Sequence, residues 1–125
     1  MRDVIATSKA PQAVGPYSQA IRAGGFIFVS GQIAIDPANG QIAAGGIAAQ
    51  TERALKNLTA ILGAAGSGLE RVVRSTVFLK NMSDFGAMNE VYARHVGSVP
   101  PARSTIEVAK LPSGALVEIE AIALI

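Results

Sequence analysis

Two alternating runs near the C-terminus constrain this chain more than any other feature. Arg103-Ser104-Thr105-Ile106-Glu107-Val108 and Leu116-Val117-Glu118-Ile119-Glu120-Ala121-Ile122 both repeat with the period of two that a strand imposes, and Leu111-Pro112-Ser113-Gly114 separates them with turn residues. The pattern predicts a β-hairpin. With the turn centred near Pro112 and Ser113, Glu107 falls opposite Glu118 and Thr105 opposite Glu120, while Arg103 lies roughly 13 Å further along. Arg103 and Glu118 of one hairpin should then not touch. Glu118 facing Glu107 would be a like-charge pair, unfavourable unless a ligand, a proton or another subunit's cation intervenes.

A second hairpin is predicted within residues 18–33, turning at Ala23-Gly24-Gly25. Alternation sets Phe26, Phe28, Ser30 and Gln32 on one of its faces and Ile27, Val29, Gly31 and Ile33 on the other. Gly31 inside the strand marks a bulge or the close approach of a ligand to the backbone. Residues 3–7 form a short strand, residues 11–16 a loop, and Asp36-Pro37-Ala38-Asn39-Gly40 a turn. From about Gly46 the period lengthens. Ile47, Thr51, Ala54, Leu55, Leu58, Ile61 and Leu62 recur at helical spacing, with Glu52 and Lys56 as an exposed pair and Gly63 as the stop. A strand over residues 72–79 follows, and then a helix capped by Ser83 or Asp84, with Phe85, Met88, Tyr92 and Val96 inward and Gly97 at its end. This order gives an α+β fold, a mixed sheet with both helices on one face, in a single domain over residues 1–125.

Only 16% of the residues are charged, so Arg103 with Glu107, Glu118 and Glu120 in one short region suggests a site for something small and ionic. Half of the chain is hydrophobic and mean hydropathy is +0.37, a surplus that predicts surface lost to a second copy of the same chain. The net charge is +2, but Lys and Arg are scattered without a run, which argues against a nucleic-acid partner. Absence of cysteine removes disulfides and thiolate chemistry and fits a cytoplasmic location. No apolar window approaches membrane-spanning length, so no membrane partner is expected.

His95 is the single histidine, so no zinc site of the usual kind is expected from one chain, and its place near a helix end suits a capping charge better than a catalytic triad. Gly63-Ala64-Ala65-Gly66-Ser67-Gly68 lacks the Lys-Ser/Thr of a phosphate loop, and Asp36 is not followed by calcium-loop spacing. What remains is Arg103, whose planar fork suits a carboxylate, and Glu118, flanked by Val117 and Ile119, where desolvation raises a carboxyl pKa toward neutrality. Structural ion pairing among these charges explains the same residues equally well.

Gly15-Pro16-Tyr17-Ser18-Gln19-Ala20, Phe28-Val29-Ser30-Gly31-Gln32, Met88-Asn89-Glu90-Val91-Tyr92, Pro101-Ala102-Arg103-Ser104 and Val117-Glu118-Ile119-Glu120-Ala121 resemble, in order and spacing, the reactive intermediate deaminase family, also called YjgF or Rid. The resemblance implies a chorismate-mutase-like fold and a homotrimer with sites between subunits. It also implies cofactor-free hydrolysis of 2-imino acids released by pyridoxal-phosphate enzymes, such as 2-iminobutanoate and 2-iminopropanoate, to 2-keto acids and ammonia. On this chain it makes Arg103 the carboxylate anchor, Glu118 the residue that activates water, and Tyr17 a hydroxyl donor. Ser30, Gly31, Asn89 and Thr105 become cleft-lining, substrate-binding positions. Many members carry Cys where this chain has Thr105, so thiol switching there is not expected, while hydrolysis by water needs no thiol. Two alternatives stay open: a 2-keto-acid-binding regulatory or chaperone-like trimer, and a ribonuclease or translation inhibitor.

Overall fold

Gly24 and Gly25 both have positive φ, 58° and 84°, the backbone that a tight two-residue hairpin turn demands. In the computed structural model, which describes residues 1–125, they join β2 (Ala20–Ala23) to β3 (Phe26–Gln32) as the sequence predicts. β1 (Asp3–Ile5) pairs with the other edge of β2, and β4 (Ile35–Asp36) with β5 (Gln41–Ile42) makes a separate small hairpin. Its turn is closed by the Asp36 carboxylate, which accepts from the Ala38 amide at 2.9 Å.

Next come α1 (Gly46–Ala64), β6 (Val72–Leu79), α2 (Phe85–Val96), β7 (Ala102–Glu107) and β8 (Val117–Leu124). The main sheet runs β1-β2-β3-β8-β6-β7. The predicted terminal hairpin does not form, because β6 lies between its two strands: β7 pairs with β6 in parallel and β8 pairs with β6 antiparallel. The cause is α2. A strand, a crossover helix and a second strand return the chain in the same direction, so β7 docks parallel on β6. Residues 108–116 then carry the chain across the end of β6, held by bonds from the Val108 amide to the Leu79 carbonyl and from the Lys80 amide to the Leu116 carbonyl. Glu107 therefore never faces Glu118; its carboxylate instead accepts from the Met82 amide at 2.7 Å.

Both helices cover one face of the sheet. Leu55, Leu58, Ile61 and Leu62 of α1 and Met88, Val91 and Tyr92 of α2 are buried against Ile27, Val29, Val77, Leu79, Val117 and Ile119. Asn57 is buried among these apolar groups, donating to the Ile33 and Ile35 carbonyls and accepting from Arg53. The other face carries Phe26, Phe28 and Leu124, all exposed. Two expectations change in detail. Glu52 pairs with His95, Oε1 to Nε2 at 3.0 Å, rather than with Lys56, so it ties α1 to α2. Phe85 is 40% exposed and not inward, and Asp84, though at the N-cap of α2, makes no side-chain capping bond. No helix is long and apolar enough to cross a membrane.

Candidate active site

In β3 the pairing to β8 slips by one residue: Val29 is opposite Ala121, and Gln32 is opposite Ile119. Ser30 and Gly31 thus share the single residue Glu120 as their counterpart, a β-bulge. It also resets the alternation. Gln32, expected beside Phe28, turns to the core face and is 6% exposed.

The bulge has a second consequence at Gly31. A Cβ built there would lie 2.0 Å from Oε2 of Glu118, so the carboxylate rests in a slot that exists only because residue 31 lacks a side chain. The bulge expected at Gly31 is present, and the group that approaches its backbone is a side chain of the same protein rather than a ligand. Glu118 is half-buried, and burial first, then the charge of Glu120, push its carboxyl pKa upward. Ser30 donates its hydroxyl to the Ser18 carbonyl at 2.6 Å, and its amide bonds the Gln19 carbonyl. Tyr17 stands half-exposed, its hydroxyl accepting from the Val14 amide at 3.3 Å. Tyr17 and Ser30 line a groove of about 710 Å³ on the sheet's open face, together with Arg74, Thr76 and Glu120.

Sequence reasoning gave Gln19 no part. Its buried amide accepts from the Thr7 amide and donates to the Thr7 and Pro11 carbonyls, which pins the loop leading to Tyr17. A glutamine just after an aromatic loop is the signal that was available.

The second group of candidates gathers elsewhere. Arg103 and Thr105 pair with Ser75 and Val77 of β6, whose side chains face the helices, so both lie on the helix face of the sheet. Asn89 and Tyr92 of α2 line a niche of about 290 Å³ with Arg103, Pro100 and Pro101. The Arg103 guanidinium carbon lies 4.8 Å from the centre of the Tyr92 ring and 5.6 Å from that of Phe85. The chain's one ion pair is Glu52 with His95. Structural ion pairing therefore does not account for Arg103 or Glu118: neither has an opposite charge bound to it.

Glu118 pairs with Phe78 and Arg103 with Ser75, an odd separation along β6, so the two side chains project from opposite faces of the sheet. They are also about 10 Å apart across two strand spacings and about 10 Å apart along the strands. The structure thus sets Gly31 against Glu118, with Tyr17 and Ser30 in the groove on the same open face, and separately places Asn89 beside Arg103 in one niche, with Thr105 two residues further along the same face of β7. One small ligand cannot span both groups within a single chain. No three His, Asp or Glu side chains cluster to hold a metal ion.

The family described as Endoribonuclease L-PSP matches residues 7–125. The 2-iminobutanoate/2-iminopropanoate deaminase of Mus musculus is 50% identical over 98% of this chain and 91% of its own. A solved structure from Yersinia pestis, described as belonging to the conserved Rid protein family, superposes with a TM-score of 0.97 at 45% identity over the full length of both chains. Escherichia coli TdcF with bound serine superposes at 0.93, 39% identical over 98% of each chain. With matching motifs, fold and near-complete coverage, the chain belongs to the Rid family, also called YjgF.

Proposed function

We propose that this protein hydrolyses 2-imino acids, among them 2-iminobutanoate and 2-iminopropanoate, to 2-keto acids and ammonia, without a cofactor. The observation that carries the proposal is a division of labour. One half-site holds a guanidinium with no acidic partner, and the other holds a carboxyl group whose burial favours the protonated form. Because they lie on opposite faces, a working site needs Arg103 from one copy and Glu118 from another. The proposal therefore includes a homotrimer of single-domain, chorismate-mutase-like subunits, in the cytoplasm. Arg103 sits on the edge strand β7, where a second copy has access.

In this mechanism Arg103 holds the substrate carboxylate through two parallel charge-assisted bonds. Asn89 and Thr105 border the anchor, and Tyr17, Ser30 and the Gly31 backbone border the reacting carbon. Water adds to the C=N carbon of the protonated imine and gives a proton to Glu118, leaving a neutral tetrahedral intermediate with one hydroxyl and one amino group. Glu118 returns that proton to the amino nitrogen, the carbon–nitrogen bond breaks as the oxygen lone pair forms the C=O, and the hydroxyl proton passes to solvent, so that ammonia and a 2-keto acid are released. A carboxyl with an upward-shifted pKa suits both steps, since it must accept a proton and release it near neutral pH. The name of the mouse relative and the amino acid bound to TdcF support a carboxylate-bearing substrate of this kind.

The test is release of 2-keto acid and ammonia from a freshly generated 2-imino acid. Release faster than in buffer, lost in Arg103→Ala, is the expected result. Binding of 2-ketobutyrate with no acceleration would favour the alternative of a 2-keto-acid-binding regulatory protein instead.

A further inference from the structure

Arg103 is a half-exposed cation at the sheet edge, yet it makes no side-chain hydrogen bond or ion pair within the chain; its guanidinium lies against two rings. Phe85, Asn89 and Tyr92 sit at helical spacing i, i+4, i+7 on α2 and so share one stripe above β7. The Tyr92 ring is fixed from below. Its hydroxyl and that of Ser75 are 2.6 Å apart in the buried interior, and Ser75 is the residue of β6 in register with Arg103. The strand that carries the anchor, the strand beside it and the helix above it therefore meet at one aromatic group.

We propose that Tyr92 and Phe85 are positioning residues for the carboxylate anchor. They form a ring platform that holds the guanidinium by its face and leaves its N–H edge free for substrate, with the Tyr92 ring fixed chiefly by its burial and secondarily by the Ser75 bond. A salt bridge would fix the same side chain more tightly, but it would occupy the donors that the ligand needs. An aromatic platform restrains the rotamers of Arg without using a single donor. The inference rests on the reading of Arg103 as anchor, and it predicts a selective effect on binding.

Tyr92→Leu and Phe85→Leu should each raise KM for the imino acid roughly fivefold to tenfold, the effect of losing a partly exposed cation–π contact, with kcat changed less than about twofold. Tyr92→Phe keeps the platform and should restore most of the affinity. Phe85 is exposed, so its variant reports even if the buried Tyr92 variant fails to fold. In an Arg103→Ala background neither substitution should weaken residual binding of 2-ketobutyrate further. A fall in kcat at unchanged KM, or a Tyr92→Phe variant as weak as Tyr92→Leu, would overturn the proposal.

A readout independent of catalysis separates this inference from the deaminase reading. The Nε–H resonance of Arg103 should be displaced by the ring currents and should return toward that of a free arginine in Tyr92→Leu. If it is not displaced in the wild-type protein, the platform is refuted even where imines are hydrolysed. If it is displaced and no imine is hydrolysed, the platform stands and the deaminase reading falls.

Discussion

Glu118 is penalised by its surroundings for the charge that its proposed chemistry requires. Its folded pKa is raised above the ordinary value near 4.5, so the stability tied to this group is fully present below pH 4.5 and is lost as pH rises through the raised value. Glu118→Gln removes that penalty. Its melting temperature should match wild type in acid and exceed it increasingly toward neutral pH, while imine hydrolysis falls by roughly a hundredfold or more, as for a lost acid–base group. Binding of 2-ketobutyrate, measured by calorimetry, should persist. Gly31→Ala tests the same carboxylate from the backbone side. The new methyl would overlap Oε2 of Glu118, so the flexible carboxylate must swing out of its slot, and turnover should drop with little change in melting temperature. A fully active Gly31→Ala protein would show that the slot has no part in catalysis. At this scale the sequence was informative. A glycine inside a β-pattern and a glutamate between Val117 and Ile119 both announced themselves, whereas Gln19 and the Ser75–Tyr92 bond did not, because side-chain partners remote in sequence leave no local pattern.

Among the elements, the strands and helices were legible from period and punctuation, and the pairing of the last two strands was not. Alternation identifies a strand and one of its faces; it does not name the neighbour. The informative signal was the helix between residues 79 and 102, since a crossover helix implies a parallel partner and so places β7 on β6 rather than on β8. The bulge similarly turned Gln32 inward against strict alternation, a shift that only the Gly31 clue foretold. Asn57 shows how one polar residue in an apolar stripe can join elements. It holds α1 to the Ile33 and Ile35 carbonyls just beyond the bulge, and no apolar replacement can do so. Asn57→Leu should destabilise the fold by about 1–3 kcal/mol, because two half-buried carbonyls and Arg53 lose their partner. Urea denaturation measures this, and an unchanged midpoint would mean that water replaces the amide. The Glu52–His95 pair is more exposed than Asn57, and Glu52→Gln should change stability by less than about 1 kcal/mol.

At the scale of the whole molecule, one face of the sheet is covered by helices, while the other presents Phe26, Phe28 and Leu124 to its surroundings. Such a face is suited to contact with a second copy, the occupant that the apolar surplus of the sequence predicts. The proposed mechanism makes the same demand chemically, since Arg103 and Glu118 point to opposite sides of a single sheet and would have to come from different copies. Light scattering should give three times the mass of the chain. A sharper experiment asks whether activity itself is shared between copies. Arg103→Ala and Glu118→Gln should each be inactive alone, the first for want of an anchor and the second for want of a base. If the two are denatured together and refolded as mixed trimers, each interface draws its anchor from one copy and its carboxylate from the next. With random assembly at equal concentrations, about a quarter of the interfaces then combine an intact Arg103 with an intact Glu118, and about a quarter of wild-type turnover should return. Simple mixing without refolding should return nothing over times shorter than subunit exchange. If both groups acted within one chain, refolded mixtures would stay as inactive as their parents, because every chain would still lack one of the two groups.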